Sequence, residues 1–251
     1  MRRLFRWTLV GRDITLRSGV GKGLKFNSSD YNPDTVLGIY ELPIQEAMQK
    51  YLRSGDVFYD IGANVGFFST IAGKLVNDSG QVYAFEPAPA NLYAIKHNIQ
   101  LNGFSNTEVL EKAVSQKSGK GELLLGNYSG SHTLSTTDKS SNHKKYHSRI
   151  SVDIISIDDL IEQQAIKPPS VVKIDVEGAE LDVIEGMCQT IQKFKPVLIY
   201  EIDDRKQDRL LLKEKEINKL IDSFGYKIEV LRDAYPEMTW HYAKHFVAFP
   251  I

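Results

Sequence analysis

The sequence has very little cysteine and no excess of charge of either sign. Its 251 residues include one cysteine, which excludes an intramolecular disulfide and a metal site made of clustered cysteines. Lysine and arginine number 31 against 32 aspartates and glutamates, so the formal net charge is −1. Because binding of a phosphate backbone needs a basic face, this balance argues against a nucleic-acid partner.

Long apolar runs are also missing. No segment approaches the ~18 apolar residues of a membrane-spanning helix. The basic start, Met-Arg-Arg-Leu-Phe-Arg-Trp, is followed by no apolar stretch of signal-peptide length. We therefore expect a cytoplasmic protein without a membrane span. The hydrophobic share of 42% is enough, at this length, to bury the core of one α/β domain.

The most informative stretch is residues 57–66, which read Val-Phe-Tyr-Asp-Ile-Gly-Ala-Asn-Val-Gly. An apolar strand ends at Asp60, a glycine-containing turn follows, and the next apolar residues recur with helical spacing. A second strand, residues 82–85, ends at Glu86. A strand, a glycine turn, a helix and a second strand ending in an acid predict a doubly wound sheet that holds a nucleoside.

The glycine turn favours S-adenosylmethionine over a dinucleotide. The dinucleotide fingerprint is Gly-x-Gly-x-x-Gly, but Asn64 stands in place of the middle glycine and Gly66 comes one residue early. Asp60 would also repel a pyrophosphate at the helix N-terminus, where anions normally bind. A sulfonium and an ammonium group would instead be attracted by that carboxylate, so we predict a methyl donor.

Three blocks of sequence carry a family resemblance. Residues 60–66, residues 84–91 with Asn98 seven positions later, and residues 172–180 resemble the motifs of the FkbM-type methyltransferases, in the family's order. The resemblance covers roughly residues 35 to 250. It implies a class I methyltransferase fold, which is Rossmann-like with a mainly parallel seven-stranded sheet and helices on both faces. It also implies S-adenosylmethionine as cofactor and a hydroxyl of a sugar, polyketide or similar metabolite as acceptor.

Strand and helix patterns alternate along the chain, which independently predicts a mainly parallel sheet. We predict an N-terminal strand or hairpin extension over residues 1–40 and one methyltransferase domain over residues 41–251. Strands are predicted at residues 57–60, 82–85, 108–114, 121–125, 150–157, 171–175, 196–202, 226–231 and 245–249. Helices are predicted at residues 41–53, around 92–102, as one helix through Leu181, Ile184, Cys188 and Ile191, and around 210–224.

Four carboxylates are predicted to share one edge of the sheet. Asp60, Glu86, Asp175 and Glu201 each follow or end a predicted strand, and the carboxyl ends of parallel strands border the crevice where ligands bind. Crowding of like charge is unfavourable unless a positive group is present or some of the acids are protonated. A sulfonium donor would relieve it, and so would a divalent metal.

The first turn and the second strand supply the predicted cofactor-binding residues. We expect Glu86 to accept hydrogen bonds from the ribose hydroxyls, although it could instead cap a helix start. The glycines could equally serve only a tight turn, and Ala113 could be a plain core residue rather than part of an adenine pocket. The predicted set is Asp60, Gly62, Ala63, Asn64, Gly66, Glu86, Pro87, Ala113 and Asp175.

The block from Lys173 to Glu180 supplies the predicted catalytic residues. Asp175 is expected beside the methyl group and the acceptor, where a carboxylate can take the proton that the hydroxyl loses. Glu177 is a second candidate base or substrate orienter, or else caps the following helix together with Glu180. Lys173 could lower the pKa of Asp175 or form a structural ion pair, and Glu201 could bind substrate.

The polar segment 126–148 is too long for an ordinary connection, and such loops are typically functional lids or disordered. His132 could act as a general base from this loop. Alternatively, Ser131 and Thr133 supply hydrogen bonds and His132 is incidental. A basic run, residues 143–147, could contact a phosphate or an acidic sugar, or simply form a solvated surface.

Other functions remain open at this level. The acceptor is expected to be a small molecule or a carbohydrate, and the sequence leaves a homo-oligomer open. A metal-assisted O-methyltransferase would lose activity to a chelator, although no metal ligands are assigned among these residues. A non-catalytic S-adenosylmethionine-binding module would bind the donor without forming product. A dehydrogenase is the most distant alternative.

Overall fold

The computed structural model describes residues 9–29, 32–127, 130–135, 146–235 and 242–251. Its strands form a hairpin, a seven-stranded main sheet and a smaller four-stranded sheet. In chain order the strands are β1 (Ile14–Thr15), β2 (Lys25–Phe26), β3 (Val57–Ile61), β4 (Gln81–Phe85), β5 (Thr107–Leu110), β6 (Ala113–Val114), β7 (Gly119–Gly126), β8 (Thr133–Leu134), β9 (Tyr146–Ile155), β10 (Val171–Ile174), β11 (Val197–Asp204), β12 (Tyr226–Val230) and β13 (Tyr242–Pro250).

The main sheet has the order β12-β13-β11-β10-β3-β4-β5. Neighbours from β11 to β5 pair in parallel, whereas β13 runs antiparallel between β11 and β12. The predicted mainly parallel seven-stranded sheet is therefore confirmed. The carboxyl ends of β3, β4 and β10 meet at one edge, where the candidate site lies.

The single strand predicted at residues 108–114 is wrong. The chain instead forms β5 and β6, because the amide of Lys112 donates to the carbonyl of Leu110 at 2.8 Å and closes a tight turn between them. After this turn β6 leaves the main sheet and pairs with β9. Strands β7 and β9, predicted at residues 121–125 and 150–157, complete the smaller sheet with β8, although β9 ends at Ile155.

Helices cover both faces of the main sheet. They are α1 (Pro33–Leu37), α2 (Leu42–Tyr51), α3 (Phe67–Val76), α4 (Pro89–Asn102), α5 (Ile157–Glu162), α6 (Glu180–Glu185), α7 (Cys188–Phe194) and α8 (Gln207–Ser223). The one helix predicted through Leu181 and Ile191 is wrong, because the chain breaks at Gly186. A Cβ atom at Gly186 would lie 2.2 Å from the carbonyl oxygen of Ser115. The backbone at Gly186 therefore packs so closely against residue 115 that no side chain fits between them.

Alternation along β3 divides the core into two layers. Phe58 packs in the layer that includes Ile71 of α3, and Tyr59 packs in the layer that includes Ile184 of α6 and Ile221 of α8. Successive strand residues point to opposite faces, so one short strand anchors helices on both sides. This burial holds the β3 carboxyl end rigidly in place.

The hairpin β1–β2 pairs antiparallel and contributes Leu16 and Phe26 to the same layer as Ile71. The division of the chain at residues 40 and 41 stays a prediction. None of the helices in the described part of the chain is both long enough and apolar enough to cross a membrane.

Candidate active site

The glycine turn after β3 lies between the carboxyl ends of β10 and β4. Gly62 has φ +81°, and a Cβ there would lie 1.8 Å from the carbonyl oxygen of Asp175. On the other side, the amides of Gly62 and Ala63 both donate to the carbonyl of Phe85, at 3.1 and 3.0 Å. Only glycine fits this contact, because it lacks a Cβ and tolerates positive φ.

The turn continues through two more left-handed residues into α3. Asn64 has φ +51°, and Gly66, at φ +82°, is the residue that caps α3. The Asn64 side-chain oxygen is buried without a hydrogen-bond partner among the residues that the structure describes. An orphaned buried acceptor is unfavourable, so this atom is a natural contact for a ligand donor.

Glu86, which follows β4, is tied to that same turn. Its two carboxylate oxygens accept from the amides of Asn64 and Ala88, both at 2.8 Å. Burial raises the pKa of Glu86 to about 7, even though these two amides favour the charged form. The Asn91 side chain also hydrogen-bonds Glu86. A carboxylate can accept about four hydrogen bonds in all, so the predicted contact with ribose hydroxyls stays a prediction.

The remaining two cofactor predictions lie close by. Pro87 directly follows Glu86, and Ala113 of β6 belongs to the same small hydrophobic cluster as Ala88. The break between β5 and β6 thus carries Ala113 toward the turn after β4. Its assignment to an adenine pocket stays a prediction.

Asp60 is buried inside the sheet instead of facing a crevice. One of its oxygens accepts from the Ser69 hydroxyl at 2.6 Å, and the other lies 3.7 Å from the ammonium of Lys173. Burial raises the pKa of Asp60, opposed by the charge of Lys173. Asp60 would therefore attract a positively charged donor only across the first turn and not by direct contact. This attraction stays a prediction.

Lys173 links the two aspartates. Its ammonium lies 3.0 Å from Asp175 and 4.9 Å from the centre of the Phe68 ring. Burial alone would lower the pKa of Lys173, but the negative charges of Asp175 and Asp60 raise it. Lys173 therefore stays protonated and keeps a positive charge next to Asp175, whose side chain is 27% exposed.

The strand does not persist to Glu177, as its alternation with Lys173 and Asp175 would require. β10 ends at Ile174, and Glu177 adopts the left-handed region at φ +54°. The surrounding protein and the charges of Asp203 and Asp175 raise the pKa of Glu177. Because the residue is solvent-exposed, water screens much of that effect.

The polar segment reaches the same turn through Thr133. The Thr133 hydroxyl donates to the carbonyl of Glu177 at 2.9 Å and so ties the segment to the turn after β10, while the predicted hydrogen-bonding role of Ser131 and Thr133 in the site stays a prediction. His132 accepts from the amide of Gly126 at 3.1 Å through Nδ1, and its role as a base stays a prediction. Of the basic run, residues 143–145 lie outside the described residues.

Glu180 has a structural role. Its carboxylate accepts from the amide of Gly178 at 2.9 Å and so fixes the turn that leads into α6. This matches the helix-start alternative rather than a catalytic one. Glu201 departs from its predicted position at a strand end, because β11 continues to Asp204 in order to pair with β13.

Two buried residues beside this site were missed in the sequence. Glu41 precedes α2 with φ +42°, and His245 lies on β13 directly opposite Glu201. His245 Nε2 and Glu201 Oε2 are 2.6 Å apart. Burial raises the pKa of Glu201; it would lower that of His245, but the bond to Glu201 raises it. The pair therefore retains at least one shared proton at neutral pH.

The geometry brings the glycine turn and Asp175 into contact. Gly62 touches the backbone of Asp175, Glu86 holds the turn from the far side, and Lys173 keeps the Asp175 carboxylate oriented. Such an arrangement can bind a nucleoside beside a carboxylate that accepts a proton.

Comparisons with known proteins also indicate a methyltransferase. The family described as the methyltransferase FkbM domain matches residues 60–228. Hexuronic acid methyltransferase AglP of Haloferax volcanii is 29% identical over 177 residues, which cover 66% of each chain. The 31-O-demethyl-FK506 methyltransferase FkbM of Streptomyces tacrolimicus is 29% identical over 161 residues, covering 54% of this chain and 61% of that protein.

A solved structure supports the fold. The methyltransferase FkbM from Methylobacillus flagellatus KT superposes with a TM-score of 0.52 at 16% identity, covering 88% of this chain and 55% of that one. The matched part of this chain therefore spans less than two thirds of each of these three proteins.

Proposed function

The chain belongs to the FkbM methyltransferase family, and we propose that it methylates a hydroxyl oxygen on a sugar, glycan or other small metabolite. Its cofactor is S-adenosylmethionine. The name of the Haloferax volcanii relative specifies a hexuronic acid, and that of the Streptomyces tacrolimicus relative specifies an oxygen position. The second name supports oxygen as the methylated atom here, and the first supports a sugar as the acceptor.

The residues present fit the donor. A Cβ at Gly62 would fill the cradle between β3 and β10, and the orphaned Asn64 oxygen lies in the same turn. We propose that this turn and Glu86 hold the adenosyl group, with Glu86 on the ribose hydroxyls. When bound, S-adenosylmethionine supplies a methyl group on a sulfonium, which leaves as a neutral thioether.

The observation that carries the proposal is the contact between Gly62 and Asp175. It puts the donor turn directly against the residue that presents a partly exposed carboxylate. In the proposed reaction, a bound donor would supply the methyl group for a new bond to the acceptor hydroxyl oxygen. Asp175 takes the hydroxyl proton, and Lys173 holds the Asp175 carboxylate in position.

The test is transfer of labelled methyl from S-adenosylmethionine to a panel of acceptors. The panel should pair uronic acids and neutral sugars with derivatives in which individual hydroxyls are already methylated, and include amines for comparison. Label that is stable to base and lost when one hydroxyl is blocked would support methylation of a hydroxyl oxygen. Donor turnover with amines only, or base-labile label on the uronic acid carboxyl, would contradict it.

A further inference from the structure

Three side chains from distant parts of the chain meet next to Asp175. Glu41 comes from the start of α2, Glu201 from β11 and His245 from β13. One carboxylate oxygen from each glutamate and one nitrogen of His245 all lie within 4.8 Å of one another. The antiparallel register that sets Glu201 opposite His245 fixes two of the three.

The Glu41 carboxylate has an unsatisfied oxygen that faces this cluster. Glu41 is only 4% exposed. Its Oε1 accepts from the hydroxyl of Tyr235, but Oε2 has no hydrogen-bond partner in the described part of the chain. That oxygen lies 3.9 Å from Nε2 of His245. A buried carboxylate oxygen without a donor is unfavourable. At 3.9 Å, His245 offers this oxygen an ion pair but no hydrogen bond, so a cation bound at closer range would stabilise it.

A small cavity lies at this point. It has a volume of about 10 Å³, close to the space of one water molecule. Its lining includes three acids and two bases, which are Glu41, Asp175, Glu201, Lys173 and His245. The acids outnumber the bases, and a bound cation would relieve the excess of negative charge.

We propose that Glu41, Glu201 and His245 form a site for a divalent cation that accepts mixed nitrogen and oxygen ligands, such as Zn²⁺ or Mn²⁺. Two carboxylates and one imidazole suit these ions better than Mg²⁺, which prefers oxygen ligands alone. The ion replaces the proton shared between His245 and Glu201. Three protein ligands leave a further position for water or another oxygen ligand on the side of the cavity that Asp175 lines.

The alternative occupant of this cluster is a proton, in an ion pair between His245 and Glu201. The two are distinguished by titrating the chelator-treated, dialysed full-length protein with Zn²⁺ and Mn²⁺ by calorimetry, without donor or acceptor. We expect one equivalent of ion to bind the wild type. Glu41→Gln should weaken binding at least about tenfold, and Glu216→Gln, at an exposed position on α8, should leave it unchanged.

Crystals soaked with Mn²⁺ give a test that does not depend on how the variants fold. An anomalous peak between Glu41, Glu201 and His245 would support the proposal. No binding, an ion located elsewhere, or equal affinity in Glu41→Gln and wild type would overturn it. Because these measurements use no methyl transfer, their failure would leave the proposed O-methylation standing.

Discussion

The contact between Gly62 and Asp175 yields the sharpest prediction. Gly62→Ala places a Cβ 1.8 Å from the Asp175 carbonyl oxygen, where ordinary contacts begin near 3.4 Å. The turn or the end of β10 must therefore shift by more than an ångström. Overpacking of this kind typically costs about 1–3 kcal/mol, and a left-handed φ adds about 1–2 kcal/mol for a residue with a Cβ. We expect the free energy of unfolding to fall by about 3 kcal/mol.

Gly225→Ala is the matched control. Gly225 has φ +77°, almost the same as Gly62, but a Cβ there would meet nothing within 4 Å. The control therefore carries the backbone strain without the steric overlap and should lose only about 1–2 kcal/mol. The difference between the two variants, measured by urea unfolding, isolates the overlap.

The same two variants test the donor assignment. Relief of the overlap moves the turn away from Asp175, so Gly62→Ala should weaken S-adenosylmethionine binding in calorimetry by tenfold or more, while Gly225→Ala should bind as the wild type does. If both variants lose equal stability, the 1.8 Å contact does not constrain the protein. If Gly62→Ala binds the donor normally, the turn is not part of the donor site.

Three further predictions concern neighbouring residues. Because burial raises the pKa of Glu86 to about 7, donor affinity should fall as the pH drops from 8 to 6 and the carboxylate is protonated. Glu86→Gln should bind the donor weakly at every pH. A decline of donor affinity with pH in that variant, parallel to the wild type, would refute the assignment. Because the pKa of Glu86 is higher in the folded than in the unfolded protein, the free energy of unfolding without ligand should be larger at low pH. This contribution is lost as the pH rises through about 7, and Glu86→Gln should not show the loss. Asp175→Asn should leave the fold intact but reduce turnover by about 10²–10⁴-fold, and full activity would place the base elsewhere. Thr133→Val should lower the free energy of unfolding by about 1 kcal/mol through loss of the bond to Glu177, whereas Thr133→Ser should retain it.

Local patterns in the sequence were enough to find the glycine turn and the strand ends beside it. The strand ending at Asp60, the glycines at 62 and 66, and Glu86 after the next strand all lie within one short stretch. The contact between Asn64 and Glu86 is correspondingly short in sequence, since the two are 22 positions apart. Alternation of strands and helices then fixed the parallel order that aligns them.

The cluster of Glu41, Glu201 and His245 could not be predicted in this way. Strands β11 and β13 were both predicted, but nothing local indicates that β13 inserts next to β11 and sets His245 opposite Glu201. The burial of Asp60 by Lys173 and Ser69 likewise depends on packing across the sheet. The break at residues 111–112 and the left-handed Glu177 are tertiary constraints that override strand propensity.

The hydrogen bond between Tyr235 and Glu41 joins residues that are far apart in the sequence, and this separation affects how the protein folds. Its partners are 194 positions apart, so the chain must close a very large loop before they can meet. Contacts of that separation are slow to form, whereas the contact between Asn64 and Glu86, 22 positions apart, forms quickly. We therefore expect Glu86 to join the glycine turn early in refolding, and the corner that holds Glu41 to assemble in a later step.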